Sequence, residues 1–221
     1  MKKLYFGIFM VFGLIILSNH VYAPVCYDYG DAPDSYNTTM ATNGPYHSAF
    51  FVGYYLGSSV ECDNDGQNST NADGDDTGDG TDDEDGVTFG TLEIGSNADI
   101  DVVSSDNDTY LDAWIDFNAD GDFLDLGEHI FDNETLSAGT NNLQFAIPEG
   151  AVAGDTFARF RSDNVAAGLP YGGHAGVAGE VEDYKITLTE APTPDVPEFG
   201  LIGYLLATLG SYFGIKFKKK A

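Results

Sequence analysis

The sequence predicts an all-β protein: an antiparallel β-sandwich of the Greek-key or jelly-roll type with long acidic loops. Short segments rich in β-branched and aromatic residues recur along the chain, and stretches of Gly, Asn and Asp separate them. Residues 184–189 alternate polar and apolar side chains as a half-buried strand does, and no intervening segment has helical periodicity. Short strands separated by such turns are typical of β-sandwiches.

Eight strands are predicted, and the fourth is expected to be central, with Trp114 as a core anchor because a large aromatic side chain buries much apolar surface. The predicted strands are Ser48–Leu56, Val87–Leu92, Asp99–Ser104, Tyr110–Phe117, His129–Asp132, Asn142–Ile147, Thr156–Ser162 and Val181–Thr189. Between Glu61 and Gly86 the chain is a long run of Asp, Gly, Asn and Thr. A loop of this length inside a compact domain is either disordered or functional.

The N-terminus predicts export. Lys2 and Lys3 precede an apolar run over residues 4–17, as in a secretory signal, so residues 1–23 are expected to be a signal peptide. An uncleaved N-terminal anchor is the alternative, although the run is shorter than the ~20 residues that span a bilayer.

The C-terminus predicts a membrane anchor. Residues 201–215 are apolar and precede Lys216 and three further lysines, which would place the tail inside the cell and the preceding chain outside. A β-domain over residues 24–190 would then be followed by a Pro-rich stalk over 191–197 and a membrane helix with a basic tail over 198–221.

A short motif before the apolar run is more specific. Pro197, Glu198 and Phe199, followed by one hydrophobic helix and a basic cluster, resemble the PEF-CTERM type of archaeal sorting tail. The resemblance implies recognition by an archaeosortase and replacement of the helix by a lipid anchor. A plain single-pass anchor is the alternative, and either one places the domain at the outer cell surface.

Charge limits the partners. The chain has 36 acidic and 9 basic residues, a formal net charge of −27 at pH 7. Such a chain repels nucleic acid, so no nucleic-acid partner is expected, and it attracts cations. Aromatic residues make up 13% of the chain and indicate a packed core, so bound metal is one way to offset the repulsion. Adaptation to brine is another, since salt screens charge.

The two cysteines, Cys26 and Cys62, are predicted to form a disulfide, because export places them where disulfides persist. Lipidation of Cys26 is the less favoured alternative, since the residues before it lack the small side chain of a lipobox.

The sharpest chemical signal lies in residues 116–128. Oxygen-bearing side chains stand at positions 1, 3 and 5 and Gly121 at position 6, as in an EF-hand loop, but the closing Glu128 is at position 13 and a strand precedes the loop. A static Ca²⁺ loop between strands is therefore favoured, with an Asp/Gly turn that binds no metal as the alternative. The predicted ligands are Asp116, Asn118, Asp120, Asp122, Asp125 and Glu128.

A second Ca²⁺ site is predicted in the long acidic loop, where Gly residues provide turns between pairs of acids. Blocks of like charge are more usually solvated and mobile. The predicted ligands are Asp63, Asp65, Asp75, Asp76, Asp82, Asp83 and Asp85.

Several motifs in order resemble one known family. They occupy residues 27–36, 55–57, 82–87, 113–118, 158–161 and 179–184. From Tyr27 to about Leu188 they resemble the GEVED domain, named for the last motif. The resemblance implies an extracellular β-sandwich of bacterial and archaeal surface proteins, often beside adhesive modules, and it implies no catalytic activity.

The acids of the last motif allow two interpretations. They are Glu180, Glu182 and Asp183. Salt bridges to Arg159 and Arg161, almost the only cations of the exported part, are favoured over completion of a metal site.

The expected function is therefore that of a calcium-binding structural or adhesive module, which contacts surface glycans or other envelope proteins and catalyses no reaction. A calcium-dependent carbohydrate-binding module with exposed Tyr46, Tyr54, Tyr55 or Tyr171 is the alternative, and a polysaccharide hydrolase the third. The histidines have no zinc spacing, and no Ser or Cys lies in a nucleophile motif. Sequons that permit N-glycosylation lie at Asn37, Asn68, Asn107 and Asn133.

Overall fold

A computed structural model describes residues 26–49, 53–74, 83–166, 168–173 and 178–192. These residues form β-strands and two short 3-10 turns, Asp34–Tyr36 and Met40–Thr42, and this part of the chain contains no α-helix. The strands are β1 (Tyr27–Tyr29), β2 (Tyr46–Ser48), β3 (Val87–Phe89), β4 (Asn97–Ser104), β5 (Thr109–Ile115), β6 (His129–Leu136), β7 (Gly139–Ala146), β8 (Gly154–Asp163) and β9 (Gly179–Leu188).

Two antiparallel sheets form a β-sandwich. One has the order β3-β4-β7 and the other β6-β5-β8-β9, while β1 and β2 form a separate two-stranded sheet. Strand β7 pairs with β4, not with the preceding β6, because β5 and β6 lie in the other sheet. This return to an earlier strand is the feature that defines Greek-key connections.

The main core lies between the two larger sheets. Apolar side chains alternate along β4, where Ala98, Ile100 and Val102 are buried while Asp99 and Asp101 are exposed. They pack against β5, β8 and β9, through residues that include Leu111 and Phe160. The alternation places one face of each strand in the core, as the sequence pattern predicted.

A second apolar cluster lies on the outer face of the four-stranded sheet, under the N-terminal segment. Its members are Ala32, Tyr36, Trp114, Phe123 and Leu169. Trp114 is buried as predicted, but in this cluster and not in the main core, because Leu111, Ala113 and Ile115 take the inward positions of β5. Residues 26–49 therefore cover the sheet like a third layer.

The predicted disulfide between Cys26 and Cys62 is confirmed. It joins the start of β1 to the acidic segment, in which Asp63 also pairs with Tyr27 through a β-bridge. This segment is thereby fixed to the N-terminal cover.

The largest error of strand prediction concerns Ser48–Leu56. Strand β2 ends at Ser48, and the described residues after it turn at Gly53 and Tyr54, which have φ values of 120° and 65°. A strand cannot pass through a left-handed backbone, so the predicted strand does not continue through Gly53 and Tyr54 to Leu56. Strand β1 was not predicted, because three residues are too few for a periodic signal.

The predicted signal (1–23) and sorting tail (198–221), together with Pro197, lie outside the described residues. Within the described residues no helix has the length and apolar character needed to cross a membrane.

Candidate metal centre

The loop 116–128 joins β5 to β6, and its first residue organises its backbone. Asp116 is buried and accepts hydrogen bonds from the amides of Ala119 (2.6 Å) and Gly121 (3.0 Å). Gly121 has a φ of 95°, a conformation that strongly favours glycine. Residue 6 of the predicted loop is therefore glycine for a steric reason.

An aromatic side chain anchors the loop to the body of the domain. Phe123 is buried and its ring centre lies 4.8 Å from that of Tyr36, in the cluster under the N-terminal cover. The Tyr36 hydroxyl donates to Asp116 Oδ2 at 2.7 Å. Packing therefore holds the middle of the loop, and a tertiary hydrogen bond holds its start.

Three predicted ligands converge at the exposed side of the loop. Carboxylate oxygens of Asp120, Asp122 and Asp125 lie within 4.8 Å of one another. Asn118 lies beside them, since its Nδ2 donates to Asp120 Oδ2 (3.0 Å) and to Asp125 Oδ2 (2.6 Å). Residues 116–128 contain no Lys, Arg or His, so these carboxylates have no basic neighbour within the loop.

The last predicted ligand, Glu128, binds the loop backbone. Its Oε1 accepts from the Phe117 amide and its Oε2 from the Asp125 amide, each at 3.1 Å. Burial, followed by the charge of Asp116, raises the pKa of Glu128 to about 7. Asp116 and Glu128 therefore frame the loop from its buried side, whereas the other four predicted ligands face outward.

The described acids of the second predicted Ca²⁺ site form hydrogen bonds with different segments of the chain. Asp65 Oδ1 accepts from the Met40 amide at 2.6 Å, and Asp63 Oδ1 from Gln67 Nε2 at 2.8 Å. Burial raises the pKa of Asp63 to about 6. Asp75, Asp76 and Asp82 lie outside the described residues.

The other two described acids of that predicted site, Asp83 and Asp85, bind backbone amides of residues 58–61. Asp83 Oδ2 accepts from the Glu61 amide, and Asp85 Oδ1 from the Ser58 amide, both at 2.8 Å. They hold residues 58–61 against the stretch that leads into β3.

Another group of possible metal ligands was not predicted. Ligand atoms of Asp112, His129 and Asp132 lie within 4.8 Å of one another. Asp112 and His129 already pair at 3.1 Å, and the His129 ring stacks on Trp114. Because these residues come from two strands, their linear spacing carries no signal.

A buried ion pair joins β8 and β9 beneath the N-terminal cover. Arg159 donates through Nε to Asp183 Oδ1 and through Nη2 to Asp183 Oδ2, both at 2.7 Å, and neither side chain is exposed. Arg159 also donates to the Tyr36 carbonyl and to Thr38 Oγ1, and Asp183 accepts from the Ala32 amide. The predicted pairing of Arg159 with an acid of the last motif is therefore present, and it ties the cover to the sheet.

The strands that carry this pair and the acidic loop are similar to one known protein family. Residues 110–187 match the GEVED domain. The match runs from β5 into β9 and includes the loop 116–128, Arg159 and Asp183. The earlier motifs, from Tyr27 onward, lie outside the matched range. No curated protein and no solved structure gave a significant match.

The motif that names the GEVED domain alternates along β9. Val181 and Asp183 lie on the face covered by the N-terminal segment, and the Val181 amide donates to Asp28 Oδ2 at 2.5 Å. Glu180 and Glu182 alternate with them and therefore share the face that carries Ile186 and Leu188 into the main core. The two glutamates accept from the backbone amides of Leu56 (2.5 Å) and Gly86 (2.8 Å).

Arg161, in the part of β8 that matches the GEVED domain, binds neutral partners. Its Nε donates to His47 Nε2 at 3.1 Å, and its guanidinium also donates to the carbonyls of Pro170 (2.5 Å) and Gly173 (3.1 Å). Burial and the charge of Arg159 lower its pKa to about 9. The favoured pairing with the motif's acids therefore applies to Arg159 and not to Arg161.

The tyrosines of the carbohydrate-binding alternative are partly buried or packed against other side chains. Tyr46 stacks on Tyr29 with ring centres 4.9 Å apart. Tyr171 packs edge-on against Phe123, and its hydroxyl accepts from Asn37 Nδ2. Tyr54 and Tyr55 are half-buried. The carbohydrate-binding alternative stays a prediction, which a glycan array in the presence of calcium would test.

Asp163, at the end of β8, should make stability depend on pH. It is buried, its Oδ2 has no hydrogen-bond partner, and burial raises its pKa from 3.8 to about 6. The native state therefore binds this proton more tightly than the unfolded chain, so its contribution to stability is lost as pH rises from about 4 to about 6.

Replacement of Asp163 by Asn should remove that dependence. We expect the free energy of unfolding of Asp163→Asn, minus that of the wild type, to rise by on the order of 2 kcal/mol between pH 4 and 6.5. Urea unfolding at fixed calcium concentration measures it. Asp155→Asn is the control, because Asp155 is exposed and its pKa is lowered. Parallel curves for Asp163→Asn and the wild type would contradict the assignment.

Proposed function

We propose that this chain is an exported surface module that binds calcium and has a structural or adhesive role in the cell envelope, without catalysis. The convergence of Asp120, Asp122 and Asp125 within 4.8 Å carries the proposal. Three carboxylates at that separation repel one another, and the loop offers no basic side chain to offset them. A bound divalent cation would convert this repulsion into attraction.

The donor set favours calcium over other metals. Carboxylate and amide oxygens are hard ligands, and Ca²⁺ takes six to eight of them in flexible geometry. Asp116 and Glu128 already hold the loop backbone, and Phe123 fixes its centre in the cluster under the cover. Such support reduces the rearrangement that binding requires.

The acidic sequence and its ends support the location. The signal over residues 1–23 and the Pro197–Phe199 motif with its basic tail favour export, processing by an archaeosortase-type enzyme, and attachment to the membrane by a helix or a lipid. A net charge of −27 disfavours nucleic acid as a partner. The partners that we propose are surface glycans or other envelope proteins.

Thermal melts with and without calcium test the proposal. We expect calcium at ten times its dissociation constant to add about 1.4 kcal/mol per site, which raises the midpoint by several degrees. Asp120→Asn with Asp125→Asn should abolish most of the gain from the loop. The matched control is Asp99→Asn with Asp101→Asn, which removes the same charge from exposed positions of β4.

The same melts can also refute the proposal. A wild-type protein that is metal-free by elemental analysis, and melts at one temperature in calcium and in EDTA, would refute the proposed calcium loop. Equal shifts in both double variants would mean that calcium acts only by screening charge.

A further inference from the structure

The strongest unexplained feature outside the loop is a buried glutamate in β9. Glu180 is fully buried, and its Oε2 accepts from the Leu56 amide at 2.5 Å. Its other oxygen, Oε1, is buried and has no hydrogen-bond partner. An unpaired carboxylate oxygen in the interior is costly unless a proton or a cation accompanies it.

Three other acids interact electrostatically with this carboxylate. Burial, followed by the charges of Glu182, Asp28 and Asp83, raises the pKa of Glu180 well above its usual value. All four side chains are buried. They come from three parts of the chain: β9, β1 and the stretch that leads into β3.

The backbone around these acids brings the three parts together. Asp28 Oδ2 accepts from the amide of Val181, which lies between the two glutamates. Glu182 Oε1 accepts from the Gly86 amide at 2.8 Å, and a Cβ atom at residue 86 would lie 2.8 Å from that same oxygen. The segments that carry these acids therefore meet at a closely packed junction and not on an open surface.

The nearby arginines are bound elsewhere. Arg159 pairs with Asp183 on the opposite face of β9, and Arg161 donates to His47 and to backbone carbonyls. Their described contacts give the two glutamates no cationic partner.

We propose that a divalent cation, calcium by its all-oxygen surroundings, binds in the interior between Glu180 Oε1 and the carboxylates of Glu182, Asp28 and Asp83. The cation would be bound by the unpaired Oε1 and would offset the buried charge of the two glutamates. The glutamates of the naming motif would then be ligands that join β9 to the N-terminal cover and to the entry of β3. This interior site adds to the proposed calcium loop and does not depend on its occupancy.

Calcium counting on the purified full-length protein tests the proposal. The protein is stripped with chelator, reloaded with calcium, freed of excess metal and analysed for calcium per chain. Glu180→Gln keeps the shape and the acceptor for the Leu56 amide, and we expect it to bind one ion fewer than the wild type. Glu134→Gln, at an exposed position of β6, is the matched control and should bind as many ions as the wild type.

The loop variant separates the two sites. Asp120→Asn with Asp125→Asn should lose the loop ion and retain the interior one. If that variant loses its ion while Glu180→Gln binds as much calcium as the wild type, the loop site stands and the interior site is refuted. If only Glu180→Gln loses an ion, the interior site stands and the calcium loop is refuted.

A second readout leaves every carboxylate of the proposed interior site in place. The Tyr184 hydroxyl donates to Glu182 Oε2 at 3.0 Å, so terbium in the interior site should be sensitised by Tyr184. In the loop variant we expect Tyr184→Phe to abolish most of the tyrosine-sensitised terbium emission and Tyr171→Phe to preserve it. Undiminished emission in Tyr184→Phe would overturn the proposal even if Glu180→Gln fails to fold.

Discussion

Replacement of Asp183 by Ala should lower the free energy of unfolding by roughly 3 to 5 kcal/mol, because it leaves the Arg159 guanidinium buried without its carboxylate. The pair is bidentate, with two hydrogen bonds of 2.7 Å, and neither side chain is exposed. Asp183 also accepts from the Ala32 amide, so the same change loosens the N-terminal cover. Urea unfolding followed by Trp114 fluorescence measures both effects, since Trp114 lies beneath that cover.

The same two strands provide a matched control. Lys185 of β9 pairs with Asp155 of β8 at 3.3 Å, but both side chains are partly exposed. Lys185→Ala should cost about 0 to 1 kcal/mol, because solvent screens such a pair. If Asp183→Ala costs no more than Lys185→Ala, the buried pair does not hold the cover on the sheet.

Removal of the disulfide should have an effect of similar size. Cys26 and Cys62 are 36 residues apart in sequence, and closing a loop of that length stabilises by roughly 3 to 4 kcal/mol on the chain-entropy model. We therefore expect Cys26→Ala with Cys62→Ala to lower the free energy of unfolding by that amount. Urea unfolding at neutral pH measures it.

A reductant provides the internal control for this prediction. Wild-type protein unfolded in the presence of reductant should match the double alanine variant, and the variant itself should not respond to reductant. Wild-type protein whose unfolding is unchanged by reductant would show that the crosslink contributes little to stability.

Much of the sandwich could be predicted because its strands follow simple patterns. Strand β4 alternates cleanly between buried Ile100 and Val102 and exposed Asp99 and Asp101. The same reasoning failed for the stretch 48–56, since the predicted strand crosses Gly53 and Tyr54, where the backbone turns. Apolar residues in a short turn and in a short strand look alike when periodicity is the only guide.

The acidic loop could be predicted from the sequence for a related reason. Its ligands lie within thirteen consecutive residues, so their spacing is the signal, and the positive φ of Gly121 agrees with the predicted turn. The sequence did not predict which acids of the loop bind its backbone and which form the exposed cluster. Whether Asp116 and Glu128 face the backbone or the cluster depends on how Tyr36 and Phe123 pack.

The sequence by itself determined the all-β class, the crosslink and the position of the acidic loop, because each of these rests on local spacing or on residue identity. Only the tertiary structure decided the partners of the buried charges. It pairs Arg159 with Asp183 and leaves Glu180 Oε1 without a partner, because side chains far apart in sequence become neighbours only through strand register and the cover over β9. Because side chains alternate along β9, Asp183 lies on one face of the strand and Glu180 on the other. The residues that each of them contacts come from distant parts of the sequence.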